Sequence, residues 1–305
     1  MLTSSRSRMA AVLRNWQLYA LIAPVLAYYV VFHYMPMYGL QIAFKDFMAS
    51  KGIGGSEWVG LKYFKQFFDS FYAGRILKNT LGLSALQLLV GFPMPILLAL
   101  MISELREGRF KRTVQSVTYA PHFLSAVVLV GMMMTLLSPG NGLVGRLLAL
   151  FGAEPIHFFG SPGWFKPLYA LSDVWQNMGW ASIIYLAALA GIDPQLYEAA
   201  VMDGAGKLRK MLHITLPGLV PTIVVLLILN LGTLMSVGFE KAFLMQNDLN
   251  LDSSEVVSTY VYKKGLIGAQ ISFGAAVGLF NSVINFTLLV LVNGLSRRCS
   301  ETSLW

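Results

Sequence analysis

Six stretches of the chain contain no aspartate, glutamate, lysine or arginine and are rich in aliphatic and aromatic residues. They cover residues 15–44, 79–103, 113–145, 174–192, 211–239 and 265–296. A helix needs about 20 consecutive apolar residues to cross the hydrocarbon layer of a bilayer. Each stretch is long enough, or nearly so, and lipid offers no partner to an open backbone. The pattern predicts an all-α membrane protein with six transmembrane helices.

Two other interpretations of these stretches fit less well. The strands of a transmembrane barrel alternate polar and apolar residues over about ten positions, and these stretches do not alternate. The first one follows Arg6, Arg8 and Arg14, as the core of a cleaved signal peptide does, but such a core has only about 7–15 residues. Since the apolar run continues through residues 28–32 and beyond, we expect a retained first span.

Composition supports a single membrane domain over residues 1–305. Hydrophobic residues make up 56% of the 305 positions and charged residues 12%, against about 25% charged in an average soluble domain. No repeat or low-complexity tract divides the chain. The net charge of +8 is ordinary at a membrane surface and does not indicate nucleic acid. Cys299 stands alone, and the four histidines lack the spacing of metal motifs, so we expect no metal site and no catalytic residue.

Basic residues suggest the orientation. Six spans place both termini on one side, and the short link 104–112 carries four positive charges in nine residues. Together with the N-terminal arginines and Arg297 and Arg298, this link marks a cytoplasmic face. The total count is almost balanced, with twelve lysines and arginines inside and eleven outside. We therefore expect cytoplasmic termini, a first periplasmic loop over 39–78, and a cytoplasmic segment over 193–217 between spans four and five.

The segment 193–217 is polar and predicts a helix followed by a turn. Asp193 and Pro194 suit the N-cap and first position of a helix, and Gly204 can end it with positive φ. The following Gly206-Lys207 resembles part of a phosphate-binding loop, which requires G-x-x-x-x-G-K-[ST] after a strand. Val201 occupies the first glycine position and Leu208 the hydroxyl position, so an ATP site is not indicated.

The same segment contains a more specific pattern. Glu198-Ala199-Ala200, Gly204, and Ile214, Leu216 and Pro217 fit the spacing E-A-A-x3-G-x9-I-x-L-P, with Asp203-Gly204-Ala205 inside it. This resembles the cytoplasmic signature of the permease subunits of bacterial binding-protein-dependent ABC importers. Residues 58–64, "WVGLKYF", are similar to another segment of that family. Residues 35–47, "MPMYGLQIAFKDF", resemble a branch that imports oligosaccharides from degraded polysaccharides.

The resemblance implies a permease subunit that forms half of a pathway for a carbohydrate and is not itself an enzyme. A short helix of the segment would dock on a separate ATPase, where ATP and Mg²⁺ are expected, and this chain would bind no cofactor. The implied partners are a second permease copy or related subunit, two ATPase subunits, an extracytoplasmic binding protein and the lipid of a bacterial cytoplasmic membrane. The coupling residues would be Glu198, Ala199, Ala200, Asp203, Gly204, Ala205, Ile214, Leu216 and Pro217.

Polar and aromatic residues within the spans are candidates for the substrate pathway, because such residues usually face a protein interior or a cavity. The alternative is that they join helices to one another, at about 0.6 kcal/mol each. Three charged residues, Asp173, Glu240 and Lys241, are expected at span ends in contact with water. The pathway candidates are Trp175, Gln176, Asn177, Trp180, Tyr185, Asn230, Asn281 and Asn285.

Two other functions remain as alternatives. A secondary transporter driven by an ion gradient would usually show inverted repeats and acidic residues near the middle of the membrane, and the uncharged stretches argue against it. An intramembrane enzyme would need a nucleophile–base pair or a metal motif at membrane depth, which the sequence does not offer. Copurification with an ATPase would distinguish a permease from both.

Overall fold

The protein is built mainly from helices. The computed structural model describes residues 14–299 and 303–304, so Arg6 and Arg8 lie outside the described residues. Single helical turns lie at Met35–Met37, Gly52–Gly55 and Leu251–Ser254. The larger elements are α1 (Trp16–Tyr29), β1 (Lys45–Asp46), β2 (Glu57–Trp58), α2 (Lys62–Phe68), α3 (Ala73–Leu86), α4 (Pro93–Ser103), α5 (Arg109–Tyr119), α6 (Ala126–Leu136), α7 (Leu143–Leu150), α8 (Pro162–Ala190), α9 (Pro194–Met202), α10 (Lys207–Lys210), α11 (Leu216–Gly232), α12 (Phe239–Met245), α13 (Val257–Val261) and α14 (Ile271–Cys299).

Four continuous helices are long and apolar enough to cross a membrane. They cover Trp16–Phe44, Ala73–Ser103, Lys207–Gly232 and Ile271–Arg298, and they match the first, second, fifth and sixth predicted spans. Three of them contain one wider, π-helical turn, at Val30–Tyr34, Gln87–Gly91 and Met211–Thr215. The hydrophobic pattern therefore locates these four helices correctly.

The third predicted span is wrong as a single helix over 113–145. Two helical pieces, Arg109–Phe123 and Ala126–Leu136, meet at an angle of 101°. Pro121 cannot donate a backbone hydrogen bond, the chain is extended at Leu124, and the Ser125 side chain caps α6 by accepting a hydrogen bond from the Val128 amide at 3.3 Å. A proline followed by an N-cap ends one helix and starts another within an apolar run.

The fourth predicted span, 174–192, lies inside the longer helix α8. This helix starts at Pro162, the favoured first position, and its first half contains Lys166 and Asp173. By composition, this helix is not among those apolar enough to be identified as spanning. Within the described residues, length and composition identify four spanning helices, or five if the bent pair is one span, rather than six.

Helix α8 forms the centre of the packing. Tyr185 of α8 is buried with Ala99 and Leu100 of α4 and Leu219 of α11. Phe165 and Tyr169 lie in a second cluster with residues of α3, α6 and α12. At Gly179 a side chain would collide with the backbone carbonyl of Thr118, so the absence of a Cβ lets α8 and α5 pack closely. By contrast, the most apolar window of the first spanning helix buries none of its residues.

The predicted outer loop, 39–78, is ordered by a small hairpin. Lys45 pairs with Trp58 in antiparallel register, and the rings of Phe44 and Trp58 stack with centroids 5.7 Å apart. The Tyr63 hydroxyl donates a hydrogen bond to Asp46 at 2.7 Å. This hydrogen bond is the largest cause that lowers the pKa of Asp46. Burial, followed by the same hydrogen bond, raises the pKa of Tyr63 to about 12.

Candidate coupling segment and translocation cavity

The coupling segment, residues 193–217, forms a helix, a glycine turn and a second helix that continues into α11. Asp193 caps α9 by accepting a hydrogen bond from the Gln195 amide at 2.9 Å. Gly204 has a φ of +71°, and the Ala205 amide donates to the Ala200 carbonyl at 2.8 Å. The left-handed residue therefore reverses the chain directly after α9, as a helix C-terminus of this kind requires.

Side-chain contacts brace this segment while its motif residues stay accessible. The hydroxyls of Tyr197 and Thr215 lie 3.1 Å apart, which joins α9 to the base of α11. Lys207 Nζ lies 3.6 Å from Glu104 Oε2 at the end of α4. Glu198 is exposed, and none of the described residues forms a hydrogen bond or ion pair with its side chain. A free carboxylate on a braced helix is suited to an intermolecular contact.

A hollow of about 270 Å³ lies beside α9. Its wall contains four predicted coupling residues from both parts of the motif, and the basic side chains of Arg209, Lys210 and His213 complete it. The other motif residues, Glu198, Ala199, Gly204, Leu216 and Pro217, lie outside this wall. The structure therefore brings together Ala200, Asp203, Ala205 and Ile214.

A larger cavity of about 410 Å³ lies between the Ala73–Ser103 helix, α8 and α11. The π-helical turn at Gln87–Gly91 forms part of its wall, and such turns frequently occur at functional sites. Phe92, Tyr185 and several aliphatic side chains supply apolar surface. The polar lining residues are Ser84, Gln87, Asp173, Asn177, Asn230, Thr233 and Ser236.

Three of the eight predicted pathway residues, Asn177, Tyr185 and Asn230, line this cavity. Asn177 lies at the centre of a polar chain, because its Nδ2 donates to Asp173 Oδ1 at 3.1 Å and its Oδ1 lies 3.0 Å from His122 Nδ1. Among the described residues, the Asn230 side chain forms a hydrogen bond only within its own helix, from Nδ2 to the Leu226 carbonyl at 2.8 Å. Its side chain is exposed and is therefore the simplest of the three to test.

The other five predicted pathway residues do not line the cavity. Gln176 donates to the Leu124 carbonyl at 2.8 Å, which ties α8 to the bend after α5. Asn285 accepts from the Met235 amide at 2.9 Å and donates to Ser236 Oγ at 2.8 Å. For these two, the contacts favour the helix-joining alternative. Trp175, Trp180 and Asn281 also lie outside the lining.

Of these three, Trp180 has the most specific surroundings. Its ring stacks on His122 with centroids 4.7 Å apart and an interplanar angle of 3°, although the side chain remains partly exposed. Trp175 is also exposed. Asn281 differs, since its Oδ1 is buried and has no hydrogen-bond partner among the described residues.

Sequence reasoning misplaced one pair of charged residues. Asp173 was expected at a span end, but it lies within α8 and lines the cavity. Lys241 was expected in water, but it is only 6% exposed, with Nζ 3.6 Å from Asp173 Oδ1 and 3.0 Å from the Tyr169 carbonyl, to which it donates. The sequence spacing could have placed Asp173 in the cavity wall, because residues four apart, such as Asp173 and the pathway candidate Asn177, share a helix face. Glu240, in contrast, is exposed as expected.

Residues 91–301 match the family described as "Binding-protein-dependent transport system inner membrane component". The chain belongs to this family. Among its relatives, the polygalacturonan/rhamnogalacturonan transport system permease protein YteP of Bacillus subtilis (strain 168) is 46% identical over 94% of this chain and 90% of that protein. Protein LplB of the same organism is 42% identical over 98% of this chain and 94% of LplB.

A solved structure agrees with this membership of the transport-system family. A chain in the crystal structure of a bacterial alginate ABC transporter, in complex with an alginate pentasaccharide-bound periplasmic protein, is 41% identical. It superimposes with a TM-score of 0.89 and covers 97% of this chain and 99% of that one. The chain is thus a permease subunit of an ABC importer and not an ion-driven secondary transporter, and its relatives are permease components rather than enzymes.

Proposed function

We propose that the chain forms half of the pathway for an oligosaccharide released from a degraded polysaccharide. The observation that carries this proposal is the 410 Å³ cavity between three helices, with amides, hydroxyls and aromatic rings in its wall. Amide and hydroxyl groups can donate and accept hydrogen bonds, as sugar hydroxyls require, and convergent polar groups in a largely apolar cavity are typical of ligand sites. The polygalacturonan/rhamnogalacturonan and alginate systems named for its relatives support a carbohydrate.

The work for transport comes, in this proposal, from ATP and Mg²⁺ bound by a partner ATPase. Helix α9 docks in a groove of that ATPase and transfers its closure through the bracing contacts to α11 and α4. Support comes from the free carboxylate of Glu198, the fixed turn at Gly204 and the Tyr197–Thr215 contact. Because α10 continues into α11, a displacement of α9 reaches a helix that lines the cavity.

The proposed assembly contains a second permease subunit, two ATPase subunits and an extracytoplasmic binding protein. The bent α5–α6 pair and α8 serve as the third and fourth spans, so that both termini lie in the cytoplasm of a bacterial cell. Helix α8 has 29 residues, or about 44 Å at 1.5 Å per residue, which is long enough to cross. The first spanning helix exposes apolar side chains along its length, as a surface for lipid or the second permease requires.

Affinity purification of the tagged chain tests the assembly. We expect a second permease subunit and an ATPase to copurify, and we expect saccharide-loaded binding protein to stimulate ATP hydrolysis by the reconstituted complex. The isolated chain should hydrolyse no ATP. The proposal would be contradicted if proteoliposomes took up saccharide when an ion gradient was present but no ATP was available to the ATPase.

A variant of Asn230 tests the cavity. Asn230→Leu removes a polar group from the cavity wall without breaking a contact between helices. Since a hydrogen bond to ligand contributes about 1 kcal/mol, we expect the KM for saccharide uptake to rise about fivefold. Thr287→Val on α14 is the matched control, because the Thr287 hydroxyl also bonds only within its own helix among the described residues, at 2.7 Å, and lies outside the lining. Equal KM values for the wild type, Asn230→Leu and Thr287→Val would show that the pathway does not pass Asn230.

A further inference from the structure

Lys166 lies on the face of α8 that lines the cavity, nearer the start of the helix. At 3.6 residues per turn, positions 166, 173, 177 and 184 share one face, and the last three belong to the cavity lining. Lys166 precedes Asp173 by two turns, or about 10 Å along the axis. A ligand that moves along this face therefore passes the lysine next to the cavity.

The Lys166 ammonium also lies next to α3. A Cβ placed on Gly82 of α3 would lie 3.1 Å from Lys166 Nζ, so the bare glycine leaves room for the charged group. The ammonium therefore lies in the gap between α8 and α3.

This ammonium has no counter-ion among the residues that the structure describes. Within the described residues, no carboxylate lies within 4.0 Å of Lys166 or of Lys78, although these lysines repel each other. Their neighbour Arg75 contacts both Asp252 and Glu255, which shows that basic groups in this region can be paired. Lys166 is half-buried, so its charge is less screened by water. An anion would relieve both the repulsion and the loss of hydration.

We propose that Lys166, assisted by Lys78, selects acidic oligosaccharides by binding the carboxylate of a uronic acid unit as it reaches the cavity. An ammonium forms shorter and stronger hydrogen bonds with a carboxylate than with a neutral hydroxyl. Asp173 does not oppose the anion strongly, because Lys241 and Asn177 already contact its carboxylate. This inference rests on the proposed carbohydrate function and adds the charge of the substrate and the residue that reads it.

The test uses the complete complex in proteoliposomes with its ATPase and binding protein. Uptake is measured for short oligomers of galacturonate, mannuronate and glucuronate, each beside its neutral methyl ester. For an acidic oligomer that the wild type carries, we expect Lys166→Gln to lower uptake about tenfold, as for one charged hydrogen bond, and to change uptake of the ester less than twofold. Lys51→Gln on the exposed loop is the matched control and should behave as the wild type.

A second experiment varies the charge of the side chain at position 166. In a Cys299→Ser background, Lys166→Cys is modified with an aminoethyl or a sulfonatoethyl methanethiosulfonate. The amine should restore acidic uptake and the sulfonate should not, while the Cys299→Ser protein without the new cysteine should respond to neither. The inference would be overturned if Lys166→Gln lost uptake of the acid and of its ester equally, or if the wild-type protein took up only the esters. Either result would leave the carbohydrate function intact. Wild-type uptake of no saccharide would reject both.

Discussion

Glu198→Lys is expected to reduce transport at least about 100-fold while the protein still inserts into the membrane at the wild-type level. The side chain is exposed and has no partner among the described residues, so the fold loses no contact. At the proposed interface, however, lysine replaces the exposed carboxylate by a positive charge, and disruption of a hydrogen-bonded charge pair at an interface costs a factor of this size. Uptake, ATP hydrolysis and the amount of copurified ATPase measure the effect.

Gly204→Asp tests the turn rather than the charge. The φ of +71° is the left-handed conformation that L side chains adopt at a cost of about 1–2 kcal/mol. We expect the turn to shift and transport to be lost with normal insertion. Gly206→Ala is the matched control, because Gly206 has a φ of −70° and open space where its Cβ would lie. Normal uptake by the Glu198 or the Gly204 variant would reject the docking role of this segment.

The sequence predicted the limits of α9 because they depend on local chemistry. An Asp-Pro pair starts this helix and Gly204 reverses the chain after it, and both signals act within a few residues. The four continuous spanning helices were also predictable, since crossing lipid requires only length and apolar composition. Four residues of the motif, from both sides of the turn, share one wall of the hollow: Ala200, Asp203, Ala205 and Ile214.

The cavity was less predictable because it depends on which face of α8 meets its neighbours. Gln176 and Asn177 are adjacent in sequence but point about 100° apart around the helix, and only Asn177 lines the cavity. Composition treats both residues alike. The uncharged stretch predicts too late a start for α8 for a related reason. A charge usually marks the end of a span, whereas Asp173 has a partner on α12 that hydropathy cannot reveal.

Lys241→Met is expected to destabilise the protein by about 3 kcal/mol, because it leaves the carboxylate of Asp173 without its cation in a partly enclosed wall. Lys241 is buried, and its ammonium also lies 4.5 Å from the centre of the Tyr169 ring. Methionine keeps most of the side-chain volume, so the loss reports charge more than packing. We expect a lower midpoint of thermal unfolding in detergent and less protein in the membrane.

The double variant Lys241→Met/Asp173→Asn separates a charge pair from two independent contacts. If the pair is the cause, asparagine removes the uncompensated charge and the double variant recovers most of the lost stability, which gives a coupling energy in a double-mutant cycle. Lys264→Met is the control, because Lys264 is exposed and forms no ion pair with the described residues. Additive losses in the double variant would show that Lys241 acts through Tyr169 alone. If the double variant recovers stability but not uptake, Asp173 belongs to the pathway as well as to the fold. The protein is then folded normally, so the missing carboxylate acts on the substrate as it passes.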